Sequence, residues 1–125
     1  MQHILIVAAG GAVGASLRHL TGMAALRLLG PGLPWGTFIV NVLGCFLMGV
    51  FIELIARRFD GSTELRLFVA TGILGGYTTF SAFSLDFAAL YERGAFVQAF
   101  GYVAISVVLS IAALFVGLWV ARTVA

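Results

Sequence analysis

Charged residues are scarce in this sequence, and one common type is missing. Only 10% of the 125 residues are charged, there is no lysine, and 62% are hydrophobic. A soluble domain carries roughly 25% charged residues, so this chain has too few to cover a water-facing surface. The net charge of +2 is also too small to argue for nucleic acid as a partner.

Cysteine and histidine are rare as well, which excludes two further kinds of site. Cys45 is the only cysteine, so an intrachain disulfide is impossible. It lies inside an apolar run, where we expect a buried and inert thiol. His3 and His19 are far apart and have no cysteine nearby, so the spacing of a metal site is missing.

The apolar runs are long enough to cross a membrane. A bilayer span needs about 20 mostly apolar residues, and four such runs fill the chain, at about 4–29, 35–56, 65–91 and 95–121. We therefore predict an all-α membrane protein with a single domain over residues 1–125. No lysine or arginine precedes Arg18, so the first run lacks the basic start of a signal peptide, and we expect it to be retained as a helix.

The distribution of arginines along the chain barely favours either orientation of the protein in the membrane. With a cytoplasmic N-terminus, four arginines fall on that side and three on the other, although cytoplasmic loops normally carry an excess. The chain is then either weakly biased and oriented by other signals, or inserted both ways as antiparallel copies. Four short helices enclose little interior, so we expect an oligomer.

The middle of the third apolar run is unlike the rest of the chain. Three glycines within five residues precede three threonine or serine residues within four, which predicts a break in the helix near Gly75–Thr79. Broken backbone at membrane depth is tolerated only inside protein or beside a wet cavity, where freed carbonyls could hold a cation. Beyond the break, Phe80 and Phe83 share a face. Their ring edges could face an anion, although such residues ordinarily pack.

Polar side chains in the other runs fall on defined helix faces. Arg18 continues a face of glycines and either lies at an interface or vestibule, or draws anions inward. Asn41 is the only asparagine, and its amide either bonds a neighbouring helix or offers donors to an ion. The fourth run carries a polar stripe in steps of four, which favours an anion track, with a seam between helices as the alternative. This stripe consists of Gln98, Tyr102, Ser106 and Ser110.

The chemistry of the central groups favours an anion over a coupled cation. Proton-coupled or cation-coupled transport needs a carboxylate within the membrane, and only Glu53 and Asp86 are candidates. Glu53 lies four residues from Arg57, while Asp86 is more interior. The central groups are instead neutral donors, which can replace the hydration shell of a small anion.

Three glycine-containing motifs occur in a definite order along the chain. They are Gly10-Gly11-x-x-Gly14-x-x-x-Arg18, Gly36-Thr37-x-x-x-Asn41-x-x-Gly44, and Gly72-x-x-Gly75-Gly76-Tyr77-Thr78-Thr79-Phe80-Ser81-x-Phe83-Ser84. The third is long and unusual, whereas the first two alone would be weak. With these motifs the chain resembles the Fluc (CrcB) family of fluoride channels over essentially its full length.

The resemblance implies an assembly that the residues alone do not define. It implies an antiparallel, dual-topology homodimer with two pores, each lined by both subunits. It also implies a structural Na⁺ at the dimer centre, held by the backbone carbonyls of Gly75 and Thr78. Arg18 matches the family's membrane-embedded arginine, and Ser106 and Ser84 are further candidates. The remaining implied pore residues are Asn41, Thr79, Phe80, Ser81, Phe83, Tyr102 and Ser110.

The implied function is passive export of fluoride from the cytoplasm, which lowers its toxicity without ATP, a coupling ion or enzymatic chemistry. The implied location is the cell inner membrane. Two other classes compete with this interpretation. A small dual-topology multidrug or guanidinium exporter would need a carboxylate deep in the first run, where only Arg18 is charged at depth. An accessory subunit without transport would not need both the polar stripe and the break.

Overall fold

The computed structural model describes residues 1–124, and every regular element in this range is a helix. Four segments are long and apolar enough to cross a bilayer, so the chain is a multi-pass membrane protein. The predicted all-α class and the four spans are confirmed. The elements are α1 (Gln2–Leu29), α2 (Trp35–Arg58), α3 (63–77) and α4 (Ser81–Glu92), which together form the third spanning segment, and α5 (Phe96–Val124).

The third spanning segment departs from the α-helical form in two places. Helix α3 contains the stretch Leu67–Leu74, which has the wider turns of a π-helix, a form that usually appears only as a single-turn bulge. Helix α3 ends at Tyr77, Thr78 has extended torsions (φ −81°, ψ 158°), and α4 begins at Ser81. The predicted position near Gly75–Thr79 was partly wrong, because Gly75 to Tyr77 are helical and the non-helical residues are 78–80.

The glycines of α3 serve close packing on α1 and do not themselves interrupt the helix. A Cβ atom on Gly76 would lie 2.9 Å from the Gly11 carbonyl oxygen, and one on Gly72 would lie 2.9 Å from the Gly10 Cα atom. A Cβ atom on Gly14 would collide with the Ile73 carbonyl. Because these residues lack side chains, the two backbones touch directly, as small residues permit between membrane helices.

Helices α2 and α5 cross just as closely. A Cβ atom on Gly49 would collide with the Leu114 carbonyl, and one on Gly117 would collide with the Phe46 carbonyl. The two glycines thus open each helix to the backbone of the other. This crossing fixes α5 beside α2, so that the polar face of α5 and the Asn41 turn of α2 border the same space.

Candidate functional site

Asn41 holds the non-helical residues in place. Its amide nitrogen donates to the Thr79 carbonyl oxygen at 3.0 Å, and its amide oxygen accepts the Thr79 backbone N–H at 2.8 Å. Both bonds join residues 38 positions apart. An amide side chain has two N–H donors, so one donor of Asn41 remains after the Thr79 backbone is satisfied.

Hydrogen bonds from backbone N–H groups to side chains leave two backbone carbonyls in this turn without their helical partners. In an unbroken helix the Thr79 N–H would donate to the Gly75 carbonyl, but here it donates to Asn41. The Ala82 N–H would likewise reach the Thr78 carbonyl, but it donates to the Thr79 hydroxyl at 3.1 Å. Gly75 is exposed and Thr78 half-buried. Oxygen ligands of this kind suit a hard cation, so the carbonyls of Gly75 and Thr78 have the chemistry of the Na⁺ site that the family resemblance implies.

A cavity of about 290 Å³ lies between the non-helical residues and α5. Its polar lining combines one amide with four hydroxyl-bearing residues, and two phenylalanines close its sides. None of the described side chains that line it is charged. The polar lining residues are Asn41, Thr78, Thr79, Ser106 and Ser110, and the phenylalanines are Phe80 and Phe83.

The Ser106 side chain presents a buried hydroxyl to this cavity. Its side chain is 4% exposed, and within residues 1–124 its hydroxyl oxygen has no hydrogen-bond partner. A buried hydroxyl without a partner is costly, and such groups are normally satisfied by protein or water. Because Ser106 lines the cavity, a water molecule or an ion there would satisfy it.

Three aromatic rings contact one another in sequence, of which Phe80 and Phe83 line this cavity, whereas the predicted pore residue Tyr102 lines a separate apolar cavity. The Phe80 and Phe83 ring centroids are 5.6 Å apart, and those of Phe83 and Tyr102 are 5.2 Å apart, with interplanar angles of 51° and 47°. Phe83 is 8% exposed, whereas Phe80 is 77% exposed. The two rings predicted to face an anion therefore differ: Phe83 is covered by its own chain, and Phe80 projects from it.

The two carboxylates considered from sequence both have partners. Glu53 accepts from Arg57 at 2.7 Å and from Arg122 at 3.1 Å near the ends of α2 and α5. The Tyr102 hydroxyl donates to Asp86 at 3.1 Å. The Tyr102–Asp86 bond was not predicted. It joins α5 to α4 and turns the Tyr102 hydroxyl toward a carboxylate.

The other predicted residues lie at different distances from the cavity. The Ser81 hydroxyl is 3.3 Å from that of Thr79. Arg18 lies in a second cavity of about 420 Å³ between α1 and α2, which Thr79 also borders, and within residues 1–124 no carboxylate forms an ion pair with it. Gln98, the first residue of the polar stripe, lines a separate apolar cavity instead.

Sequence reasoning missed three residues of the cavity, Cys45, Val107 and Ile111, of which Cys45 alone has a reactive side chain. Cys45 was expected to be buried and inert, but it is half-buried and lines the cavity with Asn41. The signal was present, because the two residues are four positions apart on α2 and therefore share a face.

These features define a multi-pass membrane protein with an uncharged polar cavity beside a non-helical turn. The profile of the family described as CrcB-like protein, Camphor Resistance (CrcB), matches residues 5–118. The chain belongs to this family, so the resemblance found in its motifs is confirmed. The family is one of ion channels and not of enzymes, as the sequence predicted.

Close relatives cover essentially the whole chain. Proteins named Fluoride-specific ion channel FluC are similar to it in three bacteria. The one from Mesorhizobium japonicum is 62% identical over 123 residues, covering 98% of each chain. The one from Chelativorans sp. is 58% identical over 124 residues, covering 99% of each. The one from Rhizobium etli (strain CIAT 652) is 58% identical over 125 residues, covering 100% of each.

Proposed function

We propose that this chain forms a fluoride-selective ion channel that exports fluoride passively from the cytoplasm. The observation that carries the proposal is the uncharged cavity, in which an amide, four hydroxyl-bearing residues and two aromatic rings line one space. The names of the relatives support the choice of fluoride. A cavity built for a coupled cation would instead need a carboxylate in its lining.

The lining has the chemistry to replace the water around a small anion. The remaining N–H donor of Asn41 and the hydroxyls of Ser106 and Ser110 can donate to it. Phenylalanine rings have positive edges, so Phe80 and Phe83 can present favourable ring edges where no hydroxyl reaches. A negative-inside potential then drives each fluoride ion outward, with about 2.3 kcal/mol per 100 mV.

We further propose that the channel is an antiparallel, dual-topology homodimer in the cell inner membrane. Phe80 is 77% exposed in the single chain, and Gly75 is exposed as well. A second copy would cover both residues and complete the wall that Phe80 leaves open. Two copies give two pores, each lined by both subunits, with the non-helical turn of each third segment at mid-membrane depth.

The carbonyls of Gly75 and Thr78 would hold a structural Na⁺ at the centre of this dimer. A single chain supplies two such oxygens, and two antiparallel chains supply four. When bound, the ion would neutralise the carbonyl dipoles where the two turns meet. Asn41 keeps the Gly75 carbonyl available for the ion, because it accepts the Thr79 N–H that would otherwise donate to this carbonyl.

Ion efflux from liposomes tests the function. Liposomes containing the purified protein are loaded with equal amounts of fluoride and chloride, a potential is imposed with a potassium ionophore, and both anions are measured outside. We expect rapid fluoride release with chloride retained, and no release from protein-free liposomes. Equal release of both anions would contradict fluoride selectivity, and no release of either would contradict the channel.

The assembly has a separate test. Native mass measurement of the detergent-solubilised protein should give the mass of two chains. Exchange of Na⁺ for a large organic cation should weaken the dimer without changing the fold of each chain. A protein that conducts fluoride as a single chain, or a dimer indifferent to Na⁺, would overturn the corresponding part of the proposal.

A further inference from the structure

Cys45 brings a nucleophilic side chain to the cavity. It lies one helical turn after Asn41 on α2 and lines the same space as Ser106 and Ser110. Its side chain faces the Ser110 hydroxyl across the α2–α5 boundary. Cys45 is also the only cysteine in the chain, so any thiol chemistry of this protein occurs there.

The surroundings of Cys45 differ from those of an inert core thiol. Thiols are inert when buried among apolar groups, and the thiolate is the reactive species. The hydroxyl of Ser106 lines the same cavity, is 4% exposed and has no partner within residues 1–124. Its unmet hydrogen bond indicates that the cavity holds water or an ion. The Cys45 thiol is therefore half-buried beside a polar space and is not sealed among apolar side chains.

The helix packing near Cys45 closes one direction to an added group. One turn further along α2, Gly49 is in backbone contact with Leu114 of α5, and Gly117 makes the reciprocal contact with Phe46. No atom can be inserted between the helices at that crossing without separating them. A group attached to the Cys45 sulfur is therefore excluded from that crossing, whereas the cavity that Cys45 lines gives it room beside Asn41.

We propose that Cys45 is a modification site for small, neutral, thiol-directed electrophiles, and that its modification blocks the anion path. The block rests on the proposed fluoride channel, whereas the reactivity does not. With methyl methanethiosulfonate as the probe, the thiolate attacks the sulfenyl sulfur and a new S–S bond forms. The S–S bond of the reagent breaks, methanesulfinate leaves with the electron pair, and the thiol proton goes to solvent. The product carries a methylthio group on Cys45.

The test uses the full-length protein in liposomes, with Cys45→Ser as the matched control. Each protein is treated with methyl methanethiosulfonate and compared with its own untreated sample by intact mass and by fluoride efflux. We expect the wild type to gain one methylthio group and to lose most of its efflux, with recovery after dithiothreitol cleaves the mixed disulfide. Cys45→Ser should gain no mass, and its efflux should not respond to the reagent.

Three results would overturn the proposal. The first is a modified wild type with unchanged efflux, which would place Cys45 outside the anion path. The second is wild type that resists the reagent in liposomes but reacts after unfolding in detergent, which would show that the thiol is shielded. The third is equal inhibition of Cys45→Ser. Absence of efflux from untreated protein would instead refute the fluoride channel, and the mass measurement would still decide whether the site exists.

Discussion

Helix α3 and the residues that follow it, 78–84, belong to one spanning segment but are fixed by opposite means. Helix α3 is held by missing side chains, because Gly72 and Gly76 let its backbone lie against α1. Residues 78–84 are held by side chains that bond backbone, since Asn41 binds Thr79 through two hydrogen bonds. Apolar burial does little to join helices in lipid, so close contact and hydrogen bonding are the means available.

Glycines and threonines are adjacent in the sequence of this segment, but they have different roles in the structure. Glycines next to threonines look like the cause of a helix break, yet Gly75 and Gly76 are helical. The helix ends where a neighbouring helix captures its hydrogen bonds. Packing of the segment and release of its carbonyls therefore depend on different residues, and substitutions can separate them.

The largest effect is expected at the contact between α1 and α3. Gly14→Ala places a methyl group against the Ile73 carbonyl, and backbone cannot rotate away as a side chain can. Ordinary overpacking lowers the free energy of unfolding by about 1–3 kcal/mol. The loss at Gly14 should be larger, so α1 should no longer pack in its native position. The fraction of monodisperse protein after solubilisation measures this loss.

Gly11→Ala is the matched control on the same helix. A Cβ atom at Gly11 meets nothing within 4 Å, so this variant should be recovered like the wild type. Equal loss in both variants would contradict this explanation, because alanine favours a helix more than glycine does and Gly11 has no close neighbour for the added methyl group to meet.

A smaller effect on stability is expected at Asn41. Asn41→Ala leaves the Thr79 N–H and carbonyl without partners, at about 1–3 kcal/mol for each buried group left unpaired. Resistance to unfolding in a denaturing detergent should fall, and fluoride efflux should fall with it because residues 78–80 lose their position. Gln98→Ala removes an exposed amide outside the cavity and should leave both measurements unchanged. A stable, conducting Asn41→Ala protein would contradict the role given to Asn41.

The smallest effect on the stability of the single chain is expected at Phe80. Because its side chain is 77% exposed, Phe80→Ala should change the free energy of unfolding of a monomer by no more than about 0.5 kcal/mol. Fluoride efflux should nevertheless drop strongly, since the ring edge is lost from the proposed path. Efflux at the wild-type rate would show that the Phe80 ring serves packing alone.

The spans and the family were predictable from sequence, whereas the contacts within the site were not. Hydropathy places four helices because length and apolarity are local properties. Asn41 is distinctive in the sequence as the single asparagine of an apolar run, but its bonds to Thr79 depend on how α2 packs beside the turn. The spacing of the polar stripe correctly put Ser106 and Ser110 on one face, but Gln98 at its start borders another cavity. The ligands of fluoride and Na⁺ stay predictions.

The uncharged lining of the cavity has a consequence for electrical behaviour. Voltage sensors respond steeply because charged side chains move through the membrane field. Residues 67–85 contain no formally charged side chain, so displacement of this segment would carry no gating charge. A pore built around it would therefore gain no voltage-dependent opening from the movement of this segment.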